Sequence, residues 1–155
     1  MRFLSRRLVM PNDLNFAGSL FGGRILEWID EEAYIFASCQ LGAKSLVTKH
    51  IGAITFETSA FQGDVVEFGL QVKSAGRTSL NITCVVRNKH TKQNICTADD
   101  IVFVHIDPET RQPTPHGKTK EELDEEAKRD VVNTFPKFLL ESKLATKEEI
   151  EKVEE

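Results

Sequence analysis

The sequence predicts an α+β fold in which an antiparallel sheet wraps around one long, buried helix. Residues 22–41 carry apolar side chains at a spacing of three to four residues, which is typical of a helix. Residues 47–106 instead hold four segments rich in Val, Ile, Phe and Thr, separated by turn signals. Because the helix comes first and the strands follow together, the order favours α+β over an alternating α/β architecture. A chain of 155 residues is long enough to bury a substantial core.

A first strand is predicted over residues 3–9, where a proline-containing turn ends it. The helix is predicted from Gly22 to about Leu41, and Gly42 is expected to terminate it. Trp28 and Ile35 lie off the main apolar stripe, so the helix is expected to be buried on more than one face. The stripe itself consists of Ile25, Ile29, Ala33, Phe36 and Ala37.

Four further strands are predicted over residues 47–58, 65–74, 78–88 and 95–106. Their connections are short and contain Gly or Asn, which favours hairpins between successive strands. The four strands are therefore predicted to form an antiparallel meander.

The predicted globular domain spans residues 1–108, and residues 109–155 are interpreted as a linker and a helical tail. Three short helices are expected near residues 119–130, 132–143 and 146–154, because the first and third open on capping-box spacings. Four apolar side chains of the tail are expected to dock on the body or on another subunit: Phe135, Phe138, Leu139 and Leu140.

Composition excludes several classes of protein. The net charge of −4 does not fit a nucleic-acid-binding surface, and no apolar run is long enough to span a membrane. The start of the chain has no signal-peptide pattern, so a cytoplasmic location is expected. The three cysteines form no CxxC pair and are expected to be buried and reduced: Cys39, Cys84 and Cys96.

Common catalytic motifs are also missing from the sequence. Gly117-Lys118-Thr119 would need a glycine at position 112 to form a phosphate-binding loop, but that residue is Gln112. No serine lies in a GxSxG pattern, and the four histidines show no metal-ligand spacing. We therefore do not expect a catalytic serine, a nucleotide-binding loop or a structural metal.

The start of the predicted helix, at Gly22 and Gly23, is the first candidate for chemistry. The first backbone N–H groups of a helix lack partners, and glycines let a ligand oxygen approach them, as an oxyanion hole requires. The alternative is that the glycines only permit a tight turn and close packing.

Asp30 is the second candidate, because it lies at the edge of the apolar stripe. A partly desolvated carboxylate suits a general base, whereas the alternative is a hydrogen-bonded structural aspartate. Gly22 and Asp30 are roughly 12 Å apart along one helix, so one subunit cannot bring both to the same reacting carbonyl. Two helices packed antiparallel across a homodimer would solve this, with a site shared between subunits.

Five segments in order resemble the hotdog-fold acyl-CoA thioesterases of the acyl-CoA hydrolase family. They are MPNDLNFAGSLFGG (10–23), EWIDEEA (27–33), LVTKHIGAITF (46–56), GDVVEF (63–68) and GRTSLNI (76–82). The resemblance covers about residues 4–106 and implies hydrolysis of acyl-CoA by at least a homodimer, with a hexamer built as a trimer of dimers expected. This reaction requires no metal or organic cofactor, and coenzyme A would enter only as part of the substrate and product.

The resemblance also implies roles for individual residues. Asp30 would be the general base or the nucleophile, Asn15 would act from the partner subunit, and the amide of Gly22 or Gly23 would form the oxyanion hole. CoA would lie near the GRTS turn, and Tyr34 departs from the family pattern, so it would either hydrogen-bond Asp30 or narrow the acyl pocket. The expected CoA contacts are Arg77, Thr78 and Ser79, with Lys49 and His50 as further candidates.

Two alternatives to hydrolysis stay open at this point. A hotdog hydratase or dehydratase would act on acyl thioesters, but it usually needs a histidine with a carboxylate, and the loop–helix segment has no histidine. A non-catalytic acyl-CoA sensor would share the fold, although the presence of both Asn15 and Asp30 favours an enzyme.

Overall fold

The computed structural model describes residues 1–134, which form a five-stranded antiparallel sheet and two helices. The strand order across the sheet is β1-β3-β4-β5-β2. The elements are β1 (Arg2–Leu8), α1 (Gly22–Leu41), β2 (Leu46–Phe56), β3 (Val65–Ala75), β4 (Ser79–Asn88), β5 (Asn94–His105) and α2 (Lys120–Thr134), with a 3-10 turn at Pro11–Asp13. The predicted α+β class and the long helix before the strands are confirmed.

Helix α1 lies against one face of the sheet and supplies much of the core. Ile29, Ala33 and Ala37 of the predicted stripe are fully buried, and Trp28 packs edge-on against Phe68 of β3. The helix ends at Gly42, whose φ of 61° is left-handed and favours glycine, as predicted.

Two burial predictions were wrong. Ile35 on α1 is 54% exposed in the single subunit, and Cys39 is exposed as well. Both side chains line an open cavity between α1, the sheet and α2. The other two cysteines, Cys84 and Cys96, are buried as expected, and burial raises their pKa values to about 12 and about 11.

The predicted four-strand meander was also wrong in one respect. Strands β3, β4 and β5 do follow one another as hairpins, but β2 pairs with β5 rather than with β3. The segment between β2 and β3 crosses below the start of α1, where Leu20 donates a 2.7 Å backbone hydrogen bond to Ala60. The pairing of β2 with β5 is non-local and is not encoded by turn signals, and it leaves β2 at one edge of the sheet and β1 at the other.

Helix α2 packs on the body through Leu123, which is fully buried. Its capping box is confirmed, since Thr119 and Glu122 exchange hydrogen bonds of 3.1 and 3.3 Å. The helix continues to Thr134, so the predicted break near residue 131 was wrong. The expected helix over 146–154 and the apolar side chains from Phe135 onward lie outside the described residues. Within residues 1–134, neither helix is long and apolar enough to cross a membrane.

Candidate active site

Asp30 lies in the middle of α1 and accepts one hydrogen bond from the neighbouring edge strand. The Thr48 hydroxyl of β2 donates to Oδ1 of Asp30 at 2.7 Å. The carboxylate is partly exposed and opens into a hollow of about 370 Å³, which we call the Asp30 hollow. Its lining residues are Asp30, Glu31, Tyr34, Ile35 and Thr48.

Sequence reasoning missed Thr48. It lies beside a register shift in β2, between Thr48 and His50, that breaks the regular pairing with β5. The only signal in the sequence was a hydroxyl residue inside the LVTKHI segment, and only the packing of β2 beside α1 shows that this hydroxyl reaches the carboxylate.

Tyr34 lines the hollow but makes no hydrogen bond to Asp30. Its hydroxyl donates to the backbone oxygen of Lys44 at 2.7 Å, and its ring packs edge-on against Phe103 at 6.3 Å. The ring is therefore fixed at the wall of the hollow, which favours the interpretation that it limits the space there.

Gly22 and Gly23 form the first turn of α1, as predicted. The N-cap residue, Phe21, offers no side-chain hydrogen bond to the turn. A Cβ atom on Gly22 would lie 3.4 Å from the Phe56 ring, and one on Gly23 would lie 2.6 Å from the Phe21 ring. These contacts support the packing alternative, whereas the uncapped N–H groups suit an oxyanion hole, so the geometry is compatible with both roles.

Asn15 holds a tight turn that precedes α1. Its Oδ1 accepts the Ser19 backbone N–H at 3.1 Å, and its Nδ2 donates to the Ser19 hydroxyl at 3.1 Å. Gly18 in this turn has a φ of 83°. The turn presents Phe16 fully to solvent, and within residues 1–134 Asn15 makes no hydrogen bond to Asp30.

Arg77 and Thr78 form the turn between β3 and β4, and Ser79 begins β4. A cavity of about 520 Å³ lies between this turn and the amino end of α2. Lys49 and His50 lie on β2, and the whole of β5 separates them from Ser79, a distance of roughly 10 Å. The structure thus does not bring these two groups of predicted CoA contacts together within one subunit.

Three buried carboxylates were not predicted: Asp13, whose Oδ2 accepts the Met10 backbone N–H at 2.8 Å, Glu32 and Glu67. Glu32 of α1 is 9% exposed and accepts hydrogen bonds from Ser5 at 2.7 Å and Arg7 at 3.0 Å, which attach the helix to β1. Glu67 of β3 is 2% exposed and is surrounded by cations. Its nitrogen partners lie at 2.7 Å in Arg87, 3.3 Å in Lys92 and 3.5 Å in Arg6.

Comparison with known proteins places the chain in a family. The Thioesterase superfamily matches residues 17–95 of the chain. A protein of Haemophilus influenzae, named as an uncharacterised acyl-CoA thioester hydrolase, is 30% identical over 127 residues, or 78% of this chain and 82% of that protein. Protein VdlD of Helicobacter pylori is 27% identical over 129 residues, or 83% of this chain and 74% of its own length.

Solved structures of thioesterases are similar to this chain in fold. The hexameric broad-specificity acyl-coenzyme A thioesterase HI0827 superposes with a TM-score of 0.67 at 28% identity, covering 80% of this chain and 87% of that one. The hexameric hotdog-fold thioesterase Cj0915 of Campylobacter jejuni gives 0.66 at 25% identity, covering 81% and 95%. The chain is a hotdog-fold protein, and it belongs to the thioesterase superfamily.

Proposed function

We propose that this protein hydrolyses acyl-CoA thioesters to a free acid and CoA, with Asp30 as the general base or the nucleophile. The proposal is supported above all by the exposure and hydrogen bonding of the Asp30 carboxylate. It opens into a hollow, one oxygen is fixed by Thr48, and Oδ2 receives no hydrogen bond from residues 1–134. A carboxylate oriented on one oxygen and free on the other can take a proton from water.

The chemistry needs three contributions. Asp30 removes a proton from a water molecule as the water oxygen attacks the thioester carbon. The amide of Gly22 or Gly23 stabilises the oxyanion that forms, helped by the positive end of the α1 dipole. When the carbon–sulfur bond breaks, the proton passes to the thiolate of CoA. If Asp30 attacks directly, water hydrolyses the resulting anhydride instead.

We further propose that two subunits share each site. Asp30 and Gly22 lie eight residues apart on one regular helix, roughly 12 Å along its axis. Strand β2 is a sheet edge, and a cluster of exposed aromatic rings surrounds its end and the start of α1. These rings belong to Phe16, Phe21, Phe56 and Phe61. A second copy packed there would supply Asn15 and the glycine amides, and the hexameric thioesterases of similar fold support further assembly into a hexamer.

CoA is proposed to bind at the turn of Arg77, Thr78 and Ser79, with the guanidinium on a phosphate. Lys49 and His50 are proposed as contacts to a different part of the CoA molecule, since β5 separates them from the turn. Tyr34 limits the acyl end of the site.

The proposal is tested by measuring thiol release from acyl-CoAs of increasing chain length, with wild type beside Asp30→Asn. We expect wild-type turnover on at least part of the series and its loss in the variant. Binding of acyl-CoA without turnover would instead establish the sensor, and loss of water from a 3-hydroxyacyl-CoA would establish the dehydratase.

The shared site is tested by subunit complementation. Asn15→Ala and Asp30→Asn are each expected to be strongly impaired, but co-expressed they form mixed dimers with one intact site of two. Random pairing should therefore restore about one quarter of wild-type activity. Absence of any recovery, with mixed dimers present, would place the site within one subunit.

A further inference from the structure

The segment that joins β5 to α2 lies against the proposed CoA turn. The cavity of about 520 Å³ has one wall formed by residues 74–77 and another formed by residues 118–121. Three cations line it, Arg77, Lys118 and Lys120, against one carboxylate, Glu121. The carboxylates that pair with the two lysines, Asp124 and Glu126, are not part of the lining.

His116 ties both ends of the turn to this segment. Its backbone N–H donates to the Arg77 oxygen at 3.2 Å, and its ring Nε2 lies 2.9 Å from the Ser79 oxygen. Its Nδ1 lies 3.1 Å from the Lys118 backbone nitrogen, which is a donor. Nδ1 must therefore accept, so Nε2 carries the proton that it donates to Ser79.

The two lysines are held in different ways. Lys118 Nζ donates to the Gln40 oxygen at the end of α1, at 3.1 Å, and pairs with Glu126 at 2.9 Å, so it is an anchored cation. Lys120 pairs with Asp124 at 2.6 Å but is 41% exposed, and an exposed pair of this kind is weak. Arg77 forms no ion pair with any of residues 1–134. Lys120 and Arg77 can thus turn toward an added anion.

We infer that residues 114–120 complete the CoA site. His116 positions the Arg77–Ser79 turn, and Lys118 and Lys120 join Arg77 in binding the phosphates of the CoA nucleotide. The inference rests on the proposed function, and it assigns to this segment a part in recognising the nucleotide rather than the thioester.

The test compares acyl-CoA with the matching S-acyl-pantetheine, which has the same thioester but lacks every phosphate. We expect Lys120→Gln to raise the KM for acyl-CoA about three- to tenfold, the effect of losing one charge-assisted contact, with kcat unchanged. Its KM for acyl-pantetheine should equal that of wild type. The control is Lys128→Gln, a lysine of the same helix that is 66% exposed and pairs with Glu125 at 3.9 Å, and it should change neither KM.

His116 is tested with His116→Ala and the conservative His116→Gln. The alanine variant should raise the KM for acyl-CoA selectively, and glutamine, which keeps a side-chain donor for the Ser79 oxygen, should recover part of the loss. Equal KM values for Lys120→Gln and wild type on acyl-CoA would overturn the inference, as would equal losses on both substrates. Failure of wild type to hydrolyse either substrate would instead overturn the proposed function.

Discussion

Asp30 and Glu67 are two carboxylates of one domain placed in opposite surroundings. Glu67 is 2% exposed and has nitrogen atoms of three cationic side chains within 3.5 Å. Burial alone raises the pKa of the Glu67 carboxyl, but hydrogen bonds and positive charge from Arg87 and Lys92 outweigh it, so the pKa lies below the ordinary value of 4.5. Asp30 is partly exposed and has a single neutral donor, Thr48, among residues 1–134.

The difference separates a structural carboxylate from one available for reaction. The oxygens of Glu67 form ion pairs with the surrounding cations. Removing the carboxylate would leave those positive charges without a partner. Asp30 is oriented by one hydroxyl and is free on its other oxygen, so its replacement leaves little unsatisfied. We therefore expect substitutions at these two positions to affect different properties, activity at Asp30 and stability at Glu67.

The largest expected effect is on the activity of Asp30→Asn. Loss of a general base should lower kcat about 10²–10⁴-fold. The melting temperature should stay at the wild-type value, because the asparagine oxygen can still accept the Thr48 hydroxyl. Steady-state kinetics measures the loss of kcat, and thermal unfolding of the same preparation checks that the melting temperature is unchanged. A variant that keeps wild-type kcat would return Asp30 to a structural role.

Glu67→Gln should show the reverse pattern. A neutral amide cannot compensate the cations around it, and we expect the free energy of unfolding to fall by about 1–3 kcal/mol. Acyl-CoA turnover should be unchanged. Urea unfolding measures the loss, with Glu27→Gln as control, since Glu27 forms an exposed pair with Arg24 that is worth only a few tenths of a kcal/mol. A loss no larger than that of the control would show that the Glu67 cluster contributes nothing.

Much of the fold could be predicted from the sequence because its signals are local. The periodicity of α1, the left-handed stop at Gly42 and the strand segments depend on neighbours in the chain. The place of β2 beside β5 could not be predicted, because β3 and β4 lie between these two strands in the chain and no local signal encodes their pairing. The exposure of Ile35 could not be predicted for a similar reason, since the sequence of an apolar helix does not reveal which of its side chains another element covers.

The Thr48 hydroxyl is expected to have a smaller effect than Asp30. Thr48→Val removes one hydrogen bond to the carboxylate while keeping the side-chain volume, so kcat should fall about two- to tenfold. Thr48→Ser keeps the hydroxyl and should recover most of that loss. If serine and valine impair kcat equally, the hydroxyl does not orient Asp30.

The site could be predicted only in part. Asp30 and the glycine turn are visible because a carboxylate on an apolar helix and a helix that opens on glycines are local anomalies. Thr48 and Glu67 are ordinary residues of predicted strands, and only the packing of those strands places them beside a carboxylate or a cation. The assignment of Asn15 to the partner subunit depends on the family resemblance, and it stays a prediction.

The smallest expected effect is on the pH dependence of stability. Because the pKa of folded Glu67 lies below its ordinary value of 4.5, its ion pairs stabilise the protein above that pH, and the contribution is lost as pH falls through the folded value. Asp100 and Asp107 also have lowered pKa values, through hydrogen bonds from Asn81 and from the Thr110 backbone, but their ordinary value is 3.8, so they act at more acid pH. Glu67→Gln should therefore flatten the decline in stability that begins as pH falls below 4.5, whereas the contributions of Asp100 and Asp107 begin to be lost only below pH 3.8, and unfolding measured across this range can resolve the two onsets. Parallel curves for wild type and variant would mean that other groups carry the acid sensitivity.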